Sequence, residues 1–368
     1  MILAAAALAG GLALQRGRTE AQYRRLIETG DAALAEGRTY AAIEAFSGAL
    51  AFRPGSMVAH LRRGEAYQRQ ESLDAASRDL MMAAQLDPNA TQPLERLGEV
   101  SMARDDHARA ADWYSQAADR DVTSAALAYR AGYNRYRAGQ VELAIPALAR
   151  AVARAPDDGE MHYALGLAHR DNGDRARARA SLERAIALAP AHLAAREALA
   201  GLLGDSGDPA EQLRHLEALA GLDPSVPRHI AVAMAAADAG RTDRAVLALG
   251  SANDLSASDP RLRLALGRVW LMDAEQKNDR ASLRKAAEAL AHAATSPATS
   301  ESLALMGRLA HLSGARGDAN RLLERAVEQR PVWPEAFRYQ ADALRAAGRK
   351  EEADAAMLRY AALVKVQD

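Results

Sequence analysis

A period of 34 residues runs through most of this 368-residue chain. Proline recurs as Pro54, Pro88, Pro156, Pro190 and Pro224, with Val122 in the one vacant slot, and Pro297 and Pro331 repeat the interval later. Glycine keeps the same beat at Gly30, Gly64, Gly98, Gly132 and Gly166, and returns at Gly267 and Gly307. Ala42, Ala76, Ala110, Ala144 and Ala178 follow twelve residues behind those first five glycines. Phe46, Leu80, Tyr114, Leu148 and Leu182 come four later, then Ala49, Ala83, Ala117, Ala151 and Ala185. Self-similarity at a fixed period means one supersecondary unit used repeatedly, each copy burying its apolar face against its neighbours.

Composition says what that unit is made of. Ninety residues are Ala, the strongest helix former and the smallest side chain, while aromatic residues are only 4%. Such a chain builds closely packed helices and excludes a β-sandwich or a parallel-sheet enzyme. A net charge of −1 and a pI near 6.8 argue against a nucleic-acid binder. The absence of cysteine removes disulfides, thiolate metal sites and cysteine nucleophiles, and leaves the compartment open.

Within each period, two apolar-periodic stretches flank a glycine turn such as Glu36-Gly37-Arg38, Ala138-Gly139-Gln140 or Asn172-Gly173-Asp174. Asp-Pro pairs, Asp87-Pro88 and Asp223-Pro224, close the second stretch because proline restrains the residue before it. Each unit therefore reads as a helical hairpin. The recurring small, Ala, bulky, Ala and Pro positions resemble the tetratricopeptide repeat at its positions 8, 20, 24, 27 and 32. The resemblance implies an all-α, right-handed superhelical solenoid of about ten helix pairs. Six regular units are expected over 23–226, two irregular ones over 227–299, and two more with a capping helix over 300–368.

Departures from the pattern carry their own expectations. Unit 6 places Gly201, Gly204 and Gly207 in or after its first helix and has Gln212 where Ala belongs. Unit 7 puts Met234 at the small position and Gly250 at the bulky one, so a soft joint is expected between about 200 and 255. Unit 8 is 40 residues long, and about one added turn on each helix between Trp270 and Ala286 would absorb the excess. Residues 1–22 differ: Ile2 to Leu14 is uncharged and apolar, followed by Arg16 and Arg18. Read as a signal or an anchor, this stretch points to a membrane-anchored or exported protein; the other reading is a solenoid-capping helix, and a cytoplasmic protein is the alternative.

Reactive constellations are scarce. Gly204-Asp205-Ser206-Gly207-Asp208-Pro209 looks like the nucleophile segment of trypsin-like proteases, but it falls at a helical turn with no strands around it. His162 and His169 lie two turns apart on one helix, at positions where packing side chains are usual. No phosphate loop or His-Glu-x-x-His is present. The reading is non-enzymatic, without a cofactor or a metal.

In this repeat family, positions 2, 5, 6, 9, 12 and 13 of each first helix line a groove. Arg62, Arg96 and Arg130 share position 6 of three successive units. Tyr129, Tyr133 and Tyr136 share one helical face, Tyr163 sits one repeat beyond Tyr129, and Arg137 and Arg170 flank them. These nine residues are expected to bind a protein or an extended, acidic peptide, with tyrosines as anchors and arginines as carboxylate donors. Arg62–Glu65 and Arg96–Glu99 are also expected as i,i+3 pairs. The groove lacks the Lys and Asn set of the chaperone-tail clamp. An excess of 43 Arg over 4 Lys suggests a GC-rich bacterial source. The function that fits is a scaffold for an envelope-associated assembly. Its alternatives are a cytoplasmic regulatory adaptor and an accessory solenoid of polysaccharide synthesis or export contacting glycan through its tyrosines.

Overall fold

The computed structural model describes residues 2–293 and 298–367, with side chains described for 15–291 and 298–364. Among these residues the chain forms twenty α-helices and no strand. They fall into two compact units, 1–190 and 191–368. The first holds α1 (Ile2–Ala35), α2 (Thr39–Phe52), α3 (Met57–Arg69), α4 (Leu73–Leu86), α5 (Gln92–Met102), α6 (His107–Arg120), α7 (Ala125–Arg137), α8 (Val141–Arg154), α9 (Gly159–Asp171) and α10 (Arg175–Leu188). The second holds α11 (Leu193–Asp205), α12 (Pro209–Leu222), α13 (Val226–Asp238), α14 (Thr242–Leu255), α15 (Pro260–Lys277), α16 (Arg280–Ala293), α17 (Ser300–Leu312), α18 (Arg316–Glu328), α19 (Glu335–Ala346) and α20 (Lys350–Gln367). Odd-numbered helices are the first of each pair.

Every hairpin turns on one residue with positive φ. Gly37, Gly139, Gly173, Gly207, Gly240, Gly314 and Gly348 take that slot at 71–83°, and Glu71, Asp105 and Asn278 fill it elsewhere. The turn closes as a Schellman motif: the Arg38 N–H donates back to Ala33 at 2.8 Å, and the Asp174 N–H to His169 at 2.9 Å. Side-chain caps then restart the chain. Asp106, Asp174 and Asp208 each accept the amide three residues on, Arg109, Arg177 and Glu211 respectively.

Glycine and the bulky residue sixteen positions later are partners in contact. A Cβ on Gly64 would lie 2.8 Å from Leu80, on Gly98 2.7 Å from Tyr114, on Gly132 2.7 Å from Leu148 and on Gly166 2.8 Å from Leu182. Leu80, Leu148 and Leu182 are fully buried, as are Ala76, Ala144 and Ala178 beside them. The two helices of a pair thus close until one helix's backbone meets the other's side chain, which only glycine permits.

The lengthened eighth unit behaves as its sequence suggests. α15 runs ten residues past Gly267, where α9 runs five past Gly166, and α16 begins six residues before Ala286, where α10 begins three before Ala178. A Cβ on Gly267 would still lie 2.5 Å from Leu290, so the excess lies wholly at the tip.

Unit 7 corrects the sequence reading. The connection from α12 to α13 is three residues, Asp223 to Ser225, against the four of Ala155 to Asp158 between α8 and α9. The register therefore slips by one. Ala233, Ala245, Leu249 and Ala252 take the small, Ala, bulky and Ala positions, at 0%, 0%, 5% and 0% exposure. Met234 and Gly250 lie one step off that frame, and a Cβ on Gly250 would meet open space. The bulky contact expected to be missing is supplied by Leu249.

The protease-like hexapeptide is a turn. Ser206 donates to the Leu202 carbonyl at 2.7 Å, Gly207 has φ of 73°, and Asp208 caps α12 with Pro209 in its first turn. At the other end of the chain, the α1 backbone runs unbroken from Ile2. The side chains of the expected membrane segment at 2–14 lie outside the described residues. Among the described residues, no helix is long and apolar enough to cross a membrane.

Candidate interaction surface

All nine residues singled out in the sequence lie on α3, α5, α7 and α9, within the first unit. They divide into two groups of opposite character.

The arginines form a closed chain of charge. Arg62 pairs with Glu65 on its own helix at 2.9 Å and approaches Asp31 on α1 at 3.4 Å. Glu65 also accepts from Arg96 at 2.8 Å, and Arg96 donates to Glu99 at 2.8 Å. Arg130 lies 3.7 Å from Glu99 and 3.8 Å from Glu95, with its guanidinium 5.6 Å from the Tyr114 ring centre. Signs alternate across four helices, Asp31, Arg62, Glu65, Arg96, Glu99, Arg130. Both i,i+3 pairs read from the sequence are present. The expectation of three open carboxylate donors meets a competitor already in place: each arginine faces a carboxylate of the preceding first helix. Burial works against the Arg96 charge, but its bonds to Glu99 and Glu65 outweigh this and hold its pKa above the ordinary value.

The chain of charge stops where tyrosine begins. Position 9 of the next unit is Tyr133, and the residue facing it from position 6 of α9 is Ala164. Tyr129 and Tyr133 stack with ring centres 5.7 Å apart and planes 22° from parallel. The Tyr129 hydroxyl donates to Glu160 at 3.4 Å, and the Tyr136 hydroxyl to Asp171 at 2.7 Å. Arg170 donates its Nε–H to the same Asp171 at 2.8 Å, which raises the Arg170 pKa. Arg137 is exposed, and Tyr133 beside it raises its pKa. Burial pushes Tyr136 up to about 12 with Asp171 adding to it, and it raises Tyr129 similarly beside Glu160. The phenols remain protonated donors, and their rings are fixed at both ends. Tyr129, Tyr133 and Tyr136 pack from outside on Leu148, Ala164 and Leu165. Tyr163 lies on α9, one repeat beyond Tyr129.

Sequence reasoning did not find Glu160 and Asp171, although a signal for one of them existed. Arg62–Asp31, Arg96–Glu65, Arg130–Glu99 and Tyr129–Glu160 are all 31 residues apart, as are Thr242–Asp273 and Arg228–Glu197 in the second unit. This spacing is one period less one i,i+3 step, and it marks side chains that meet across adjacent repeats. Three further charged clusters were also unseen. Arg63 grips buried Asp79 with bonds of 2.7 and 2.8 Å while His60 contacts it at 2.9 Å. Asp273, also buried, accepts from Thr242, Lys277 and Ser282. Arg308 joins Glu275 at 2.7 Å to Asp342 at 3.0 Å. Each ties neighbouring helices together and is fully matched in charge partners, so none resembles a reactive site. His169 is buried at 7% exposure, and among the described residues no three acids and histidines gather to hold a metal ion.

Residues 129–174 and 159–192 match family models described as tetratricopeptide repeat. These matched segments contain the tyrosines of the patch. No curated protein matches the chain. Among solved structures, the C-terminal part of a repeat-containing protein from Cytophaga hutchinsonii shares the fold. It has 20% identity over 65% of this chain and 99% of that one, with a TM-score of 0.55. MamA from Desulfovibrio magneticus is 23% identical over 45% of this chain and 94% of its own, at a TM-score of 0.42. YrrB, described as a protein with an unusual peptide-binding site, is 21% identical over 50% and 94%, at 0.45.

Proposed function

Because this chain belongs to the tetratricopeptide-repeat family, whose fold generally serves protein interaction rather than catalysis, we propose that it is a scaffold holding an extended segment of a partner protein against α7 and α9. The carrying observation is the boundary at Arg130, where a self-neutralised row of ion pairs gives way to half-exposed tyrosines with locked hydroxyls. Rigid aromatic side chains lose little entropy on binding and dominate the energy of many interfaces. The arginine ladder then acts mainly within the fold, and the partner's grip comes from Tyr129, Tyr133, Tyr136 and Tyr163, with Arg137 and Arg170 beside them. The uncharged run at 2–14, followed by Arg16 and Arg18, supports placing this scaffold at a bacterial envelope.

Affinity capture from the source organism tests the reading. Replacing Tyr133 and Tyr163 with Ser should abolish recovery of the partner, whereas Tyr40→Ser should not, since Tyr40 is 76% exposed on α2 and remote from the patch. Equal recovery with both variants would refute the site.

A further inference from the structure

The second unit carries charges that its own fold leaves unmatched. We infer that α15, α17 and α19 form a further docking site, independent of the tyrosine patch, whose ligand is an amphoteric peptide segment with acidic and basic residues close together.

The site is built around an aromatic pair. Trp333, just before α19, meets Tyr339 edge to face with ring centres 5.8 Å apart. The Trp333 amide donates to Ser300 Oγ on α17 at 2.9 Å, which ties the pair to the neighbouring first helix. Arg268 of α15 lies 5.2 Å from the Trp333 ring centre, and Arg338 lies 4.8 Å from that of Tyr339. Arg308 approaches Tyr339 from α17 at 5.0 Å and is itself held by Glu275 and Asp342. Tyr339 is 4% exposed and Arg308 9%, so both belong to the buried floor of the site.

Around that floor, charges of both signs lack partners. Among the described residues Arg268 and Arg338 make no ion pair and no hydrogen bond, and neither do Glu301 on α17 and Glu335 on α19. Glu301 follows Ser300, and Glu335 lies two residues past Trp333. The first unit differs, since its three ladder arginines each meet a carboxylate of the preceding first helix at 2.8–3.7 Å. Here the rings engage the guanidinium faces and leave the N–H edges open to an acceptor. All four unmatched side chains are partly buried. Desolvation raises the Glu301 pKa, opposed by Arg268 and reinforced by Glu335. Asp238 on α13 is raised the same way, against the pull of Arg268 and Arg338.

These charges select the ligand by what each simpler class would meet. An acidic segment would engage the two arginines but be repelled by Glu301, Glu335 and Asp238. A basic segment would satisfy the acids and be repelled by Arg268 and Arg338. A neutral segment would strip further water from all five and return no opposite charge. A segment with acidic and basic residues side by side answers both sets, and the same mixture of signs rejects its single-sign competitors. The apolar stems of such long side chains can lie on the Trp333–Tyr339 pair.

The experiment is a fluorescence-anisotropy titration of the full chain with a labelled peptide of alternating Glu and Lys, at low and high salt. Oligoglutamate, oligolysine and a neutral Gly–Ser peptide serve as comparison probes. The alternating peptide should bind best, and high salt should weaken it severalfold. Arg268→Gln/Arg338→Gln should weaken it by about tenfold, and Glu301→Gln/Glu335→Gln should do the same. Circular dichroism should show both variants as helical as the wild type, and Tyr133→Ala should leave this binding unchanged. No binding of the alternating peptide overturns the inference. Equal or tighter binding of a comparison probe through the same residues would overturn the ligand class. Binding indifferent to both double variants would overturn the site.

Discussion

Gly204 on α11 and Gln212 on α12 exchange volume. The Gln212 side chain occupies the space a Cβ on Gly204 would need, and its Cδ lies 3.1 Å from that point. The equivalent residues of the first repeat are Leu34 and Ala42, large and small in the opposite order. Gly204→Leu alone should overpack the hairpin and cost about 1–3 kcal/mol. Adding Gln212→Ala should return most of that loss, because it rebuilds the Leu34–Ala42 arrangement. A double-mutant cycle by denaturant unfolding should give a coupling above about 0.5 kcal/mol, and additive effects would show that the two sites do not share space.

Two classes of helical glycine should respond to alanine with opposite signs. At Gly132 the new methyl would lie 2.7 Å from Leu148 Cγ and 2.9 Å from the Leu148 backbone nitrogen, and the latter cannot step aside. Gly132→Ala should destabilise by about 1–3 kcal/mol. At Gly201 and Gly250 nothing lies within 4 Å, so Gly201→Ala and Gly250→Ala should each stabilise by up to about 1 kcal/mol. Hydrogen exchange on the native chain should find α14 protected through Leu249, with faster exchange confined to α11. Equal rates in both helices would mean that Gly201 and Gly204 weaken nothing.

The arginine ladder makes a stability prediction of its own. Converting Arg62, Arg96 and Arg130 to Glu should lower the melting temperature, since Glu65 and Glu99 would each lose two cationic neighbours and gain repulsive ones. Exposed pairs of this kind contribute about 0.2–1 kcal/mol each, and the side chains are 42–44% exposed, so the total should be modest. Thermal melts should show the gap between wild type and variant narrowing at high salt. An unchanged melting temperature would show that the ladder adds nothing to the fold.

Acid should weaken the fold before the carboxylates titrate. Burial holds the His169 pKa below the ordinary histidine value, with Asp174 opposing and Arg177 reinforcing that shift. His311 moves the same way through burial, then Arg308. Below about pH 6.5 the unfolded chain takes up these protons more readily than the folded one. Stability is therefore full above that value and is lost as pH falls through the folded pKa values. Denaturant midpoints between pH 7 and 5 should decline less steeply in His169→Gln/His311→Gln than in wild type. Parallel slopes would exclude the two histidines.

The hairpins were legible because small and bulky residues meet at fixed positions in them. Gly64 against Leu80 is a steric requirement, and it repeats visibly. The slip at Asp223–Ser225 went unread because the 34-residue period, carried straight through, lands on Met234 and Gly250, although Ala233, Ala245, Leu249 and Ala252 keep the regular spacing one residue earlier. The burial of Leu249 bears out that earlier register. At the surface, the sequence reading paired Arg62 and Arg96 with glutamates along their own helix. Reach between adjacent helices, as from Arg96 to Glu65, depends on a stacking offset that a one-dimensional reading does not contain.

The eighth hairpin shows where this architecture accepts new material. Its added turns leave Gly267 on Leu290, and buried Asp273 binds both helices of the tip through Lys277 and Ser282. Length there leaves the small-against-bulky packing of the hairpin in place, while Asp273 and Gln276 tie the tip to Thr242 and Ala237 of the preceding repeat. For an engineer, Asn278 is thus a natural port: a fluorescent reporter or an affinity tag could be spliced there while every repeat keeps its neighbours.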